Sequence, residues 1–354
     1  MTKVASLAVA GAGLIGQRHI AAILANDTTE LAAIVDPSEP AQRLAKDLDV
    51  SWYPGLDALF QASKVDGVVI STPNQLHVEN GLQCVAAGVP ALIEKPLAVN
   101  LAGATALVEA AEASGIALLV GHHRRHNPLI ASAKAHLQAG TIGEIVSVHG
   151  MFWLMKPDDY FEVEWRRTAG AGPVYLNLIH DIDLLRHLVG EIVIVHAMTS
   201  NRIRGHAVED TCAIMLKFAN GALGTVNVSD TIVAPWSWEL SAGENPAYPN
   251  ARQHCYLIGG TRGSLELPAA KLWQNPGERS WWEPISATVF PVANEDPLLR
   301  QIRQFAKVIT DSEPPLVPAR EGLKTLQVVD AIMRSAETSQ TVHIRDGAVL
   351  VKPT

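Results

Sequence analysis

Cysteine is nearly absent: Cys84, Cys212 and Cys255 are the only three in 354 residues, far apart and in no CxxC or CxxH spacing. That scarcity excludes a disulfide framework and a structural zinc, leaves no metal expected, and makes a reducing cytoplasm the natural compartment. Basic charge is also short. Lys and Arg number 28 against 36 Asp and Glu, a net charge of -8, which is the wrong sign for a chain that must neutralise nucleic-acid phosphates. No apolar run reaches the ~18 to 20 residues of a membrane span. The stretch from Val4 to Ile15 after Lys3 imitates a short signal peptide, but Gly11, Gly13 and Gly16 interrupt it and Gln17, Arg18 and His19 follow at once. Low-complexity tracts and internal repeats are missing too. What remains, 48% hydrophobic and 18% charged residues, can fill a compact core, and 354 residues predict two domains at about 150 residues each.

The chain has two textures. Up to residue 125, apolar runs of strand length (Leu7–Ala10, Leu31–Val35, Val68–Ser71, Ala91–Glu94 and Ala117–Val120) alternate with helical patterns at Ile15–Leu24, Ala41–Asp47, His77–Ala87 and Leu101–Ser114. Runs without a wet face predict buried parallel strands, so residues 1–125 are expected to form a doubly wound Rossmann sheet. Residues 126–354 are expected to form an α+β domain with an open, mainly antiparallel sheet. Seven of the eight tryptophans lie there, two hairpins are predicted (211–229 about Asn220-Gly221, and 255–267 about 259–263), and helices are expected at Asn127–Ala139, Tyr175–Val189, Pro297–Thr310 and Gly322–Ser339. The last helices have the option of packing back on the first domain.

The strongest motif is Gly11-Ala12-Gly13-Leu14-Ile15-Gly16, directly after a strand and opening a helix. Gly11 permits the tight turn, Gly13 lets a pyrophosphate approach the backbone, and Gly16 lets the helix pack on the sheet. Asp36 ends the second strand 20 positions after Gly16, where a carboxylate accepts hydrogen bonds from the adenosine ribose. Its charge opposes a 2′-phosphate, which favours NAD over NADP, with Arg43 the one nearby cation that could compensate.

Glu94-Lys95-Pro96 stands at the carboxyl edge of the parallel sheet, where open α/β folds bind ligands. Together with the glycine loop, Asp36, Thr72-Pro73-Asn74, His77 and the run from Asn177 through His180 to Asp183, it resembles the Gfo/Idh/MocA family of dehydrogenases over nearly the whole chain. The resemblance implies hydride exchange between NAD(P) and a sugar, polyol, sugar derivative or cyclic diol, and a homodimer or homotetramer built on the C-terminal sheet. It implies Lys95 as the active-site lysine, His180 as the catalytic histidine and a cis bond before Pro96. It also places Thr72, Pro73, Asn74, His77, Glu94 and Lys95 with the cofactor residues. In inositol dehydrogenase-like members an aspartate stands four residues before the histidine; here that position is Leu176. Asn177, three residues before His180 on the same predicted helix face, or Asp183, three after it, are the candidates to take over its orienting role.

Two groups could choose the substrate. Arg124 and Arg125, within the basic run His122–His126, could grip a carboxylate or phosphate, or could bridge the domains. Trp153, Lys156, Tyr160, Trp165 and Arg166 combine aromatic faces for a sugar ring with cations for its oxygens, or pack an open sheet or a subunit interface. The expected activity is an NAD-dependent dehydrogenase for a small secondary alcohol, neutral or anionic. An NAD-retaining glycosidase acting by transient oxidation and a non-catalytic NAD-binding regulator are the alternatives, the second disfavoured by the presence of both Lys95 and His180.

Overall fold

The computed structural model describes residues 3–168, 170–293, 295–345 and 348–351. In chain order the elements begin β1 (Ala5–Ala10), α1 (Leu14–Leu24), β2 (Thr29–Val35), α2 (Glu39–Asp47), β3 (Ser51–Tyr53), α3 (Leu56–Ala62), β4 (Gly67–Ile70), α4 (His77–Ala87), β5 (Ala91–Ile93), α5 (Leu101–Ser114) and β6 (Leu118–Val120). They continue with α6 (Pro128–Gln138), β7 (Ile145–Trp153), α7 (Ile179–Val189), β8 (Ile192–Ser200), β9 (Thr211–Phe218), β10 (Leu223–Ser229), α8 (Trp238–Ser241), β11 (Tyr256–Gly260), β12 (Ser264–Leu267), β13 (Lys271–Gln274) and β14 (Ser286–Val289). The last are α9 (Pro297–Asp311), α10 (Ala319–Thr338), β15 (Val342–Arg345) and β16 (Ala348–Val351).

The first unit comprises residues 3–127 and Glu295–Leu326. Its sheet is parallel throughout in the order β3-β2-β1-β4-β5-β6. Strand β1 is paired on both edges, by β2 and β4, and Leu7 and Val9 on it are fully buried. The edge strand β3 is short and half-exposed, which is why no apolar run announces it. Residues 295–326, grouped by sequence with the second domain, belong here. The reason is the apolar face of α9: Ile302, Phe305, Ala306 and Val308 share one buried cluster with Leu7, Val9 and Ile34. At roughly 25 cal/mol per Å² of apolar surface, that stripe alone supplies several kcal/mol of docking.

The second unit comprises residues 128–293 and 327–351. Its sheet runs β14-β13-β12-β11-β7-β10-β9-β8-β15-β16 and is antiparallel except where β7 meets β10. Both predicted hairpins are present, β9 with β10 and β11 with β12. Residues of α6, α7 and α10 share the buried cluster with inward positions of the strands. The pairings Leu223 to Lys217, Thr225 to Met215, Met198 to Ala213 and Leu257 to His149 place Met198, Met215, Leu223 and Leu257 together on the other face, where all four are exposed. Tyr175–Val189, expected as one regular helix, is instead a π turn over Val174–Leu178 followed by α7. Among the described residues no helix is long and apolar enough to cross a membrane.

Candidate functional site

In the first unit, the glycines act as their positions demand. Gly11 has φ +88, and a Cβ there would lie 2.5 Å from the Ser71 carbonyl oxygen. At Gly16 a Cβ would be 1.9 Å from the Gly11 oxygen, so α1 can approach the loop only because that side chain is missing. Gly13 is different. A Cβ there meets nothing within 4 Å, and Gly13 caps α1, leaving the amides of Leu14, Ile15 and Gly16 at a helix start that faces open space. Such a helix start has the chemistry to receive a phosphate. Asp36 lies beside it: Oδ2 accepts the Ala12 amide and Oδ1 the Ser38 amide, both at 2.9 Å, and each oxygen keeps a lone pair for a ribose hydroxyl. Partial burial works against the charge, but the amides of Ala12 and Ser38 outweigh it and hold Asp36 below its usual carboxylate range. Arg43, the cation that could have compensated a 2′-phosphate, is paired with Glu39. The residues present therefore fit NAD.

Thr72, Pro73 and Asn74 follow β4 beside this loop. His77, grouped with the cofactor residues, is fully buried; its Nδ1 lies 2.8 Å from the Pro96 oxygen and its Nε2 2.9 Å from the Thr72 oxygen. Its role is to clasp the Thr72 turn to the Lys95–Pro96 turn, whose peptide bond is cis. Burial lowers its pKa, so the ring is held neutral and donates to one carbonyl at a time. Glu94 is likewise turned away from solvent. Oε1 is 2.8 Å from His19 Nε2, and Oε2 accepts the Lys95 amide at 3.2 Å. Burial raises its pKa, but the bond and charge of His19, then Lys95 and His123, pull it down to about 2. Burial, followed by the charge of Arg124, drives His123 down to about 3. Arg124 and Arg125 are both buried, and Arg125 Nη2 is 3.1 Å from Glu321 Oε2 within this unit. That internal ion pair supplies the counter-charge a buried guanidinium needs close by.

His19 was not singled out from the sequence. The signal was there: Gly16, His19, Ile20 and Ile23 fall at helical spacing on the buried face of α1, which places a polar ring in an apolar stripe.

In the second unit, His180 is buried on the first turn of α7. Across the junction with the π turn, the spacing from Asn177 to His180 is not that of a continuous α-helix, so the shared face expected from 3.6 periodicity is not regular. Asp183 is buried, and neighbouring Asp181 accepts the Tyr256 hydroxyl. Trp153 ends β7, donates to Asn227 and packs edge-on against Trp236 at 5.5 Å. Lys156 follows, 7% exposed; its Nζ is 5.0 Å from the Tyr160 ring and 3.6 Å from Asp230 Oδ2, outside hydrogen-bond distance. Arg166 lies over the same ring at 4.1 Å and donates to the Tyr160 carbonyl. Asp230 is satisfied by Arg204, whose Nε is 2.8 Å from Oδ1. Three side chains named from the sequence thus carry a buried polar atom without a hydrogen-bond partner among the described residues: Lys156 Nζ, Arg166 Nε and Asn177 Oδ1. Buried polar atoms are normally satisfied, so these three stand out in the second unit. Glu209 and Asp230, the carboxylates beneath this set, escaped the sequence reading because isolated acids at strand ends give no pattern.

Comparison with known proteins agrees with both units. Residues 5–122 match the model of an oxidoreductase family's NAD-binding Rossmann fold, and residues 134–344 that of the same family's C-terminal alpha/beta domain. The chain is similar to inositol 2-dehydrogenase 2 of Saccharopolyspora erythraea, with 30% identity over 96% of this chain and 95% of that one. It is also similar to the rhizopine catabolism protein MocA of Rhizobium meliloti, with 28% identity over 92% and 93%. A solved oxidoreductase from Agrobacterium radiobacter, in complex with NAD+, L-tartaric acid and magnesium, shares the fold with a TM-score of 0.80 at 23% identity over 96% of this chain and 98% of that one. A glycine loop with its acidic partner, the Glu94-Lys95-Pro96 turn and the His180 helix, matched by both domain models, make this chain a member of the Gfo/Idh/MocA oxidoreductase family, built on an NAD-binding Rossmann domain.

Proposed function

We propose that this oxidoreductase is an NAD-dependent dehydrogenase for a secondary alcohol of a sugar, polyol, sugar acid or similar cyclic substrate. The observation that carries the reading is three buried polar atoms without a hydrogen-bond partner among the described residues, Lys156 Nζ, Arg166 Nε and Asn177 Oδ1, the first two on side chains that lie over the Tyr160 ring. An array of donors and acceptors backed by aromatic rings suits a polyhydroxylated ring, with stacking for its C–H face and hydrogen bonds for its hydroxyls. The names of the relatives, an inositol dehydrogenase and a rhizopine catabolism protein, support the cyclic polyol class.

NAD, when bound, supplies the hydride acceptor for the alcohol carbon. The chain's own residues do the rest. Gly11, Gly13 and Gly16 with the Leu14 and Ile15 amides would hold the pyrophosphate, Asp36 the ribose, and the Thr72-Pro73-Asn74 turn and Lys95 the far half, with Glu94 bracing Lys95 from behind. His180 accepts the hydroxyl proton, and Lys95 stabilises negative charge developing on the substrate oxygen. Arg124 remains a candidate for an acidic substituent.

The exposed row of Met198, Met215, Leu223 and Leu257 supports self-association of two copies through this sheet face. The three buried cysteines, none in a disulfide among the described residues, support a reducing compartment, the cytoplasm. A screen of inositols, other polyols, sugars and sugar acids for NADH formation tests the reading; turnover confined to alcohols with no further hydroxyl groups would reject it.

A further inference from the structure

The stretch that carries Asn177 and His180 is held at its start by a carboxylate brought from 35 residues away. Glu209, just before β9, is 8% exposed, and its Oε1 accepts the Val174 amide at 3.1 Å. Opposite it stands Gly172. A Cβ there would lie 2.1 Å from Oε1 and 2.3 Å from Oε2, so the carboxylate occupies the hollow that an absent side chain leaves. The Leu176 amide donates to the Gly172 oxygen at 3.1 Å, and Val174–Leu178 then makes the π turn that runs into α7. Helix starts leave amides without internal partners, and they are ordinarily capped by a neighbouring Ser, Thr, Asp or Asn. Here residue 173 is a proline with no cap to offer, and a distant acid takes the place. Burying a carboxylate is costly, and burial indeed raises the Glu209 pKa against the pull of the Val174 amide and Lys156. An apolar residue would fill the same space without that cost; what it could not do is bind the amide.

We infer that Glu209 is a positioning residue for His180: its carboxylate, seated in the Gly172 hollow, fixes the start of the π turn and with it the place of Asn177 and His180. The inference rests on the dehydrogenase reading above and deepens it. Acid–base chemistry tolerates little misplacement, and an error of about 1 Å costs on the order of 10²-fold in rate.

The test uses the full chain with Glu209→Gln, Glu209→Ala, Glu209→Asp and Gly172→Ala. Glu209→Ala should lower kcat up to about 10²-fold and leave the KM for NAD unchanged, because the cofactor contacts lie at Gly11–Gly16 and Asp36. Glu209→Gln keeps an acceptor oxygen and should restore most of kcat; Gly172→Ala displaces the carboxylate and should behave like Glu209→Ala. NMR of the ¹³C-labelled His180 ring, assigned with His180→Gln, should show a shift in Glu209→Ala that returns to the native position in Glu209→Gln. That signal does not need a substrate, so a native protein inactive on every cyclic polyol, with the shift observed, rejects the dehydrogenase reading and keeps this one. An unmoved His180 signal in folded Glu209→Ala overturns the inference, as does equal damage from Gln and Ala. Should Glu209→Ala not fold, Glu209→Asp, too short to reach the amide, replaces it; native kcat and an unmoved ring signal there overturn the inference equally.

Discussion

His19 Nε2 lies 2.8 Å from Glu94 Oε1, a buried pair that ties the helix after the glycine loop to the residue preceding Lys95. Removing His19 takes from the buried Glu94 carboxylate its closest side-chain partner and leaves it the Lys95 amide. His19→Ala should therefore cost about 3 kcal/mol in denaturant unfolding, and NAD affinity should fall with it. A cost below about 0.5 kcal/mol, the level of a surface change, would show that the pair stabilises nothing.

The same corner sets an acid limit. Glu94 is held down to about 2 from 4.5, so its contribution is complete above pH 4.5 and is lost as pH falls toward 2. His123 is held down to about 3 from 6.5; the unfolded chain takes up its proton first, and stability drains away from pH 6.5 downward. Unfolding free energy should decline across that whole range, and His123→Gln should flatten the upper part. A profile level from pH 6.5 to 4.5 would contradict the assignment.

Asp36→Ala should weaken NAD far more than NADP, since it removes the ribose acceptor and the charge that opposes a 2′-phosphate. Calorimetric titration with both cofactors reads the ratio. Equal losses would mean that Asp36 serves only to hold the Ala12 and Ser38 amides.

Replacing either Lys95 or His180 by Ala should lower kcat by about 10²–10⁴-fold while NAD still binds, because neither residue belongs to the glycine loop or to the ribose-binding strand end at Asp36. Near-native turnover of folded His180→Ala at saturating substrate would remove His180 from proton transfer.

Lys156→Met should raise the substrate KM roughly tenfold or more with kcat nearly unchanged, because its buried Nζ, ion-paired with Asp230 at 3.6 Å but without a hydrogen-bond acceptor among the described residues, is proposed to bind the substrate in ground and transition state alike. Asp230 keeps its Arg204 partner in the variant, so folding should survive. An unchanged KM with lowered stability would make Lys156 a packing residue.

Local signals carried the sequence reading a long way. Strand runs without a wet face, the glycine spacing and the position of Asp36 act through backbone geometry within one strand-turn-helix unit, so they were legible in the chain alone. So was the open sheet, since Asn220-Gly221 and the 259–263 stretch determine hairpins on their own. The family motif likewise marked Lys95 and His180 as candidates.

Other features depend on residues that meet only after folding. The partners His19 and Glu94, Arg125 and Glu321, and Glu209 and the Val174 amide are separated by 75, 196 and 35 positions, and no local pattern links them. The docking of α9 onto the first core and the π turn before His180 were decided in the same way, by which surfaces and amides found partners. The sequence by itself determined the phosphate loop, the cofactor preference and the alternation of elements, because propensity and hydrophobic period act over a few residues. Only the tertiary structure decided which charges are spent on holding the fold, because that is set by burial, and burial is a property of the packed chain.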